Sequence, residues 1–144
     1  MIKNLTLITL FIIFSCGKPP AEKMIPNLQG YWEIQKAISS AGIEKEFKYS
    51  QNIEYFEIKD STGFRKKVQP RLDGSFLISE DLEPFTITVE NDSLRIFYKN
   101  TWDSWKETVV KATDNELMIV NENGNQYFYK RFQKIDIANG ETNQ

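Results

Sequence analysis

From position 60 to position 125, turn signals recur about every ten residues, and the stretches between them alternate apolar with polar side chains. The signals are Asp60-Ser61-Thr62-Gly63, Asp73-Gly74, Asn91-Asp92, Asp114-Asn115 and Asn123-Gly124. This spacing leaves room for short strands and for no helix of useful length. The expected strands are 52–59, 64–72, 75–79, 84–90, 93–99, 104–112, 116–121 and 126–132, with an acidic link over 80–83. Phe85, Ile87 and Val89 fall on one face of their strand, and Leu94, Ile96 and Tyr98 on one face of the next. Asn123-Gly124 is the strongest type I′ hairpin signal, because both residues tolerate positive φ.

A run of consecutive hairpins needs a first strand to close against. Gly30 to Ile38 supplies it: Trp32, Ile34 and Ile38 share a face with Lys36 as the odd member, and Tyr31, Glu33, Gln35 and Ala37 share the other. Residues 39–50 are open between a loop, a short helix and an irregular strand. The total is about nine strands. A sandwich needs long crossovers, and none is visible. The expectation is therefore all-β: a single up-and-down antiparallel barrel of about eight strands, whose closure removes exposed edges.

Composition narrows the chemistry. The chain has no His and a single Cys, which excludes a Ser-His-Asp triad, a Cys-His pair and a His-based zinc site from its own residues. A formal charge of −2 with no basic stripe argues against nucleic acid as a partner. Glu80-Asp81-Leu82-Glu83 lacks the alternating ligands of a calcium loop. Glu54 and Glu57 fall on opposite faces of a strand and make no glycosidase pair. No enzyme activity, metal or cofactor is expected.

The chain opens on one cation, Lys3, and a ten-residue stretch, Leu5 to Phe14, that is apolar apart from two threonines. It is too short to span a bilayer, which takes about 20 residues, and it fits the apolar core of an export leader. Ile13-Phe14-Ser15-Cys16 resembles the bacterial lipobox. The resemblance implies cleavage before Cys16 and acylation of that residue, hence membrane anchoring through lipid on Cys16. The expected address is the cell envelope, at the outer membrane on its periplasmic side. The expected organisation is a leader over 1–15, a lipid anchor and extended Pro-containing tether over 16–28, a barrel over 29–133, and a flexible polar tail over 134–144.

Two motifs carry a family resemblance. Gly30-x-Trp32 at the start of the first strand, and Asn123-Gly124 followed by Tyr127-x-Tyr129-x-Arg131 in the last, resemble the lipocalin-like lipoproteins of the Bacteroidota. The resemblance implies an eight-stranded or near eight-stranded barrel with a first loop folding over its mouth, and it implies no specific ligand. It also implies a late Arg, here Arg131, packed across the first-strand Trp as a cation–π contact.

The candidate lumen is Trp32, Phe85, Ile87, Ile96, Tyr127, Tyr129 and Arg131. Two readings of the last three stay open. They hold a ligand carboxylate, or Arg131 caps Trp32 while the tyrosines fill the barrel. Trp102 and Trp105 lie at a rim or in the core, and the sequence does not decide. Arg65-Lys66-Lys67 with Arg71 reads as a solvated basic face or a contact for anionic headgroups. The functional expectation is a non-catalytic binding module for a small hydrophobic or amphipathic ligand. The alternative is a filled barrel acting through an envelope protein partner, for instance as an inhibitor of a periplasmic enzyme.

Overall fold

The computed structural model describes residues 20–133. The leader, Cys16 and the tail over 134–144 lie outside the described residues. After a 3-10 turn (Ala21–Met24) and a one-turn helix α1 (Ile25–Leu28) come nine strands: β1 (Gly30–Ile38), β2 (Glu44–Glu46), β3 (Ile53–Lys59), β4 (Thr62–Pro70), β5 (Phe76–Glu90), β6 (Ser93–Lys99), β7 (Ser104–Ala112), β8 (Glu116–Asn121) and β9 (Gln126–Arg131). Each of β3 to β8 pairs antiparallel with the next, β3 pairs with β1, and β9 closes on β1. The eight strands other than β2 form a closed up-and-down barrel, and β2 is a short extra rung on the upper part of β1.

The alternating residues land where their period puts them. Phe85 pairs with Tyr98 and Ile87 with Ile96, and all four point inward, with Leu94 and Val109 beneath. Asn91 and Asp92 both take positive φ, 49° and 56°, so this is the primed two-residue turn. At Asn123-Gly124 only Gly124 does (φ 79°). The turn there is a longer one, closed by Gly124 N–H to the Asn121 carbonyl and pinned by the Asn121 carboxamide.

Three expectations are revised. First, 75–79 and 84–90 are one fifteen-residue strand, β5. A register shift between Lys66 and Val68 of β4 absorbs the acidic stretch, and Glu83 within it meets Arg65 across the ladder. Second, Lys36 does not share the inner face. A shift in the β1–β9 ladder between Ile34 and Lys36 sets Lys36 opposite Phe128, whose ring its ammonium overlies at 5.1 Å, and puts Ala37 opposite the inward-facing Tyr127. The bulge turns a cation out of an apolar lumen.

Third, residues 21–28 are no extended tether. Ala21, Met24 and Leu28 are 2%, 2% and 0% exposed and belong to the main core. Pro26 sits in the first turn of α1, where its missing N–H does no harm. The Leu28 carbonyl accepts from Trp32 Nε1 at 2.8 Å, and Asn27 Nδ2 donates to the Ala112 carbonyl at 3.1 Å. The segment plugs one end of the barrel, and the domain begins before residue 29.

The plugged end carries the 60–61, 91–92 and 113–115 connections. The open end carries 39–43, 100–103 and 122–125, and the β4–β5 connection over 71–75 leans onto the outer wall. A smaller apolar patch covers the outer wall. Phe76 leaves the β4–β5 hairpin to stack on Tyr31 at 4.7 Å and meets Phe132 edge-on at 6.0 Å, and the paired Ile53 and Val68 are buried with them.

Candidate functional site

Trp32, Phe85, Ile87, Ile96 and Tyr129 are all at most 8% exposed and form one packed cluster with the plug. They fill the lower lumen. Tyr127 packs against that cluster from above, and its hydroxyl accepts from Asn121 Nδ2 at 3.3 Å. Burial pushes the Tyr129 phenol well above its ordinary range, so it stays neutral.

Arg131 caps Trp32 at the plugged end. Its guanidinium carbon lies 3.7 Å from the centre of the Trp32 ring. Its nitrogens donate to backbone carbonyls, Nε to Asp114 at 2.8 Å, Nη1 to Gln29 at 2.6 Å and Nη2 to Asn27 at 2.8 Å. Three of its five N–H groups are engaged by these carbonyls, with the guanidinium set on the Trp32 ring. Of the two readings of this residue, the cap on Trp32 is the one the geometry supports. Gly30 has to be glycine here. Its φ is +114°, and a Cβ would stand 2.9 Å from Arg131 Nη1.

The charge inside the barrel comes from elsewhere. Arg65, read from sequence as part of a solvated basic face, points inward opposite Phe56. Its Nε lies 2.8 Å from Glu83 and 3.8 Å from Glu54, and its Nη1 lies 3.1 Å from Glu107. The guanidinium carbon lies 4.6 Å from the centre of the Tyr98 ring, and the Tyr98 hydroxyl donates to Glu107 at 2.9 Å. Burial opposes the Arg65 charge, but Tyr98, Glu107, Glu54 and Glu83 outweigh it and raise its pKa.

One guanidinium therefore faces three carboxyl groups. Glu54 is the loosest of them, and its buried Oε2 has no hydrogen-bond partner. Burial raises the Glu54 pKa, with Arg65 pulling the other way. Tyr98 is pushed well above its usual value, first by burial.

Glu83 links this cluster to the surface. It lines a cleft of about 480 Å³ with Lys66, Lys67, Ser79, Glu80, Asp81, Leu82 and Asn100, at the β4–β5 register shift. Lys67 and Ser79 also border a smaller cavity of about 230 Å³, closed by Asn52, Gln69, Leu77 and Ile78. A third, of about 560 Å³, lies on the outer wall between Tyr49 and Lys130. None of the three is lined by Trp32, Phe85, Ile87, Ile96 or Tyr129. Trp105 stacks on Tyr98 at 5.0 Å and belongs to the interior, while Trp102 is 92% exposed at the open end.

The sequence contained a signal for Arg65. Gly63, Arg65 and Lys67 share a face by period two. Gly63 pairs with the inward-facing Phe85, and a Cβ on it would stand 2.1 Å from the Glu57 carbonyl oxygen and 2.7 Å from the Phe85 ring. The register that reveals this depends on the uninterrupted β5. Among the described residues, no group of His, Cys, Asp and Glu has metal-holding geometry.

Residues 28–119 match the family model of a lipocalin-like domain. Among solved structures, a lipocalin-like protein from Bacteroides uniformis shares 11% identity over 74% of this chain and 99% of its own, with a TM-score of 0.47. An uncharacterized protein from Bacteroides eggerthii gives 11%, 73%, 99% and 0.47. Lobster apocrustacyanin A1 gives 12%, 82%, 69% and 0.44. No curated protein matches the chain.

Proposed function

The chain belongs to the lipocalin-like domain family, and from that premise we propose that it is a lipid-anchored, non-catalytic binding module of the cell envelope that takes a small amphipathic ligand at its barrel mouth. The observation that carries the reading is the cleft of about 480 Å³ beside Lys67 and Glu83, with Glu83 running inward to Arg65. A charged cluster inside an apolar barrel is costly unless it is paired, and Glu54 is left over. A ligand whose polar end donates hydrogen bonds meets Glu80, Asp81 and Glu83 in the cleft, and its apolar part meets Leu77 and Ile78 alongside. Anchoring rests on the single Cys of the chain standing where a lipobox needs it.

Native mass spectrometry of protein extracted from its own membrane tests the binding. The expected result is a bound amphiphile, lost in Lys67→Ala/Asp81→Ala while the melting temperature holds within a few degrees. Cys16→Ser should move the protein from the membrane pellet to the soluble fraction. A pellet that survives high-salt washing in that variant refutes the anchor.

A second reading, an envelope interaction protein with a filled barrel, is favoured by the close burial of Trp32, Phe85, Ile87, Ile96 and Tyr129. Recovery of an empty wild-type protein selects it.

A further inference from the structure

We infer that the cleft beside Glu83 selects a ligand with a cationic head, a primary ammonium, and that Arg65 works behind it as a two-position latch, passing from Glu83 to Glu54 when the ammonium takes Glu83. The inference names the ligand class of the site proposed above and rests on that reading.

The acids of the cleft outmatch its cations. Glu80, Asp81 and Glu83 line it together with Lys66 and Lys67. Lys66 is drawn off to the outer wall, where its ammonium lies 5.2 Å from the centre of the Tyr55 ring and 5.4 Å from that of Phe64. Among the described residues, Glu80, Asp81 and Lys67 make no ion pair. Behind Glu83, Glu54 and Glu107 share the single Arg65 with it. A surplus of carboxylate beside Leu77, Ile78 and Leu82 suits a short alkyl chain that ends in a cation.

The ion cluster is built so that Glu83 can be spared. Two contacts fix the guanidinium in depth: Nη1 donates to Glu107 at 3.1 Å, and its carbon lies 4.6 Å from the centre of the Tyr98 ring. The third contact is nearer the surface. Nε donates to Glu83 at 2.8 Å, and the Glu83 side chain is 35% exposed where that of Glu107 is 9%. Glu54 Oε2 lies 3.8 Å from the same Nε, buried and without a hydrogen-bond partner. Taking one partner from a buried ion is costly when nothing replaces it. Here the replacement stands about 1 Å short of a charge-assisted bond. With an ammonium on Glu83 and Arg65 on Glu54, all three carboxyls of the cluster are paired, which they are not at rest.

Calorimetry on the full-length protein in detergent micelles, with empty micelles as the blank, compares hexylammonium, hexanol and hexanoate at neutral pH. The ammonium should bind about ten-fold tighter than either of the others. Glu83→Gln should erase that preference. Should this variant fail to fold, Asp81→Asn at the cleft surface should lower the preference several-fold. Glu54→Gln should also lower it several-fold, although residue 54 lies behind Arg65 and does not line the cleft. Equal binding of the three, or a preference for the alcohol or the carboxylate, overturns the cationic ligand and leaves the binding module standing. With none of the three bound the inference also falls, and native mass spectrometry of the extracted protein decides the broader reading separately.

For the latch, the Nε–H signal of Arg65 is followed by nitrogen NMR in arginine-labelled protein and assigned by its loss in Arg65→Lys. Saturation with hexylammonium should shift it in the wild type and by several-fold less in Glu54→Gln. A signal that stays in place in the wild type, or that shifts equally in both proteins, overturns the latch.

Discussion

Trp32 and Arg131 should lose stability non-additively, because they hold the same plug. Trp32 is fully buried, donates to the Leu28 carbonyl and lies under the Arg131 guanidinium at 3.7 Å. Trp32→Ala removes the largest side chain of the core and should cost about 3–5 kcal/mol. Arg131→Ala loses charge-assisted hydrogen bonds to Asn27, Gln29 and Asp114 at a partly exposed site, which points to a loss of about 2–3 kcal/mol. A cation–π contact contributes about 0.5–2 kcal/mol. Both residues also hold residues 27–29, so either single variant loosens what the other grips. The double variant should be less destabilised than the sum by about 1–2 kcal/mol. Urea unfolding of the four proteins measures this. Amide exchange in Arg131→Ala should speed up over residues 21–28 before it does in β6. Additive losses within about 0.3 kcal/mol, or no local change in exchange, refute the shared-plug argument.

Glu54→Gln should stabilise the protein at pH 7.5 by about 1 kcal/mol, since it removes the surplus carboxyl beside Arg65 and gives its place a donor. The sign with pH follows from the raised Glu54 pKa. Its contribution is fully present below the unfolded carboxyl value and is lost as pH rises through the folded one. Thermal melts from pH 4.5 to 8 should therefore show the wild type losing more stability than Glu54→Gln, and parallel curves would refute the assignment. Gly63→Ala should cost about 1–3 kcal/mol by driving a methyl against the Glu57 carbonyl oxygen and the Phe85 ring, measured as a fall in the urea midpoint; an unchanged midpoint would refute that close approach.

The parts of the barrel legible in the sequence are those where alternation runs unbroken. Phe85-Ile87-Val89 and Leu94-Ile96-Tyr98 point inward as their period requires. Gly30, Trp32 and Arg131 meet as the family resemblance implies. What escaped depends on register. A bulge adds one residue and flips every later side chain, and nothing in Ile34-Gln35-Lys36 marks it except the awkwardness of an inward lysine. Arg65 looked solvated because Lys66 and Lys67 follow it, and only barrel closure brings Glu54, Glu83 and Glu107, from three different strands, around it. The plug was hidden by its prolines, which suit an extended chain as well as a helix start.

The fastening at the plugged end joins the two extremes of the domain. Arg131 bonds to Gln29 and Asn27 across 102 and 104 positions, and β1 has no second neighbour in its upper half until β9 arrives. A chain emerging from its N-terminus thus holds a growing open sheet with Trp32 uncovered, and none of the intermediate lengths can latch. Closure is then a single late event with high contact order. A chain lacking β9 has neither the closing ladder on β1 nor the Arg131 cap on Trp32.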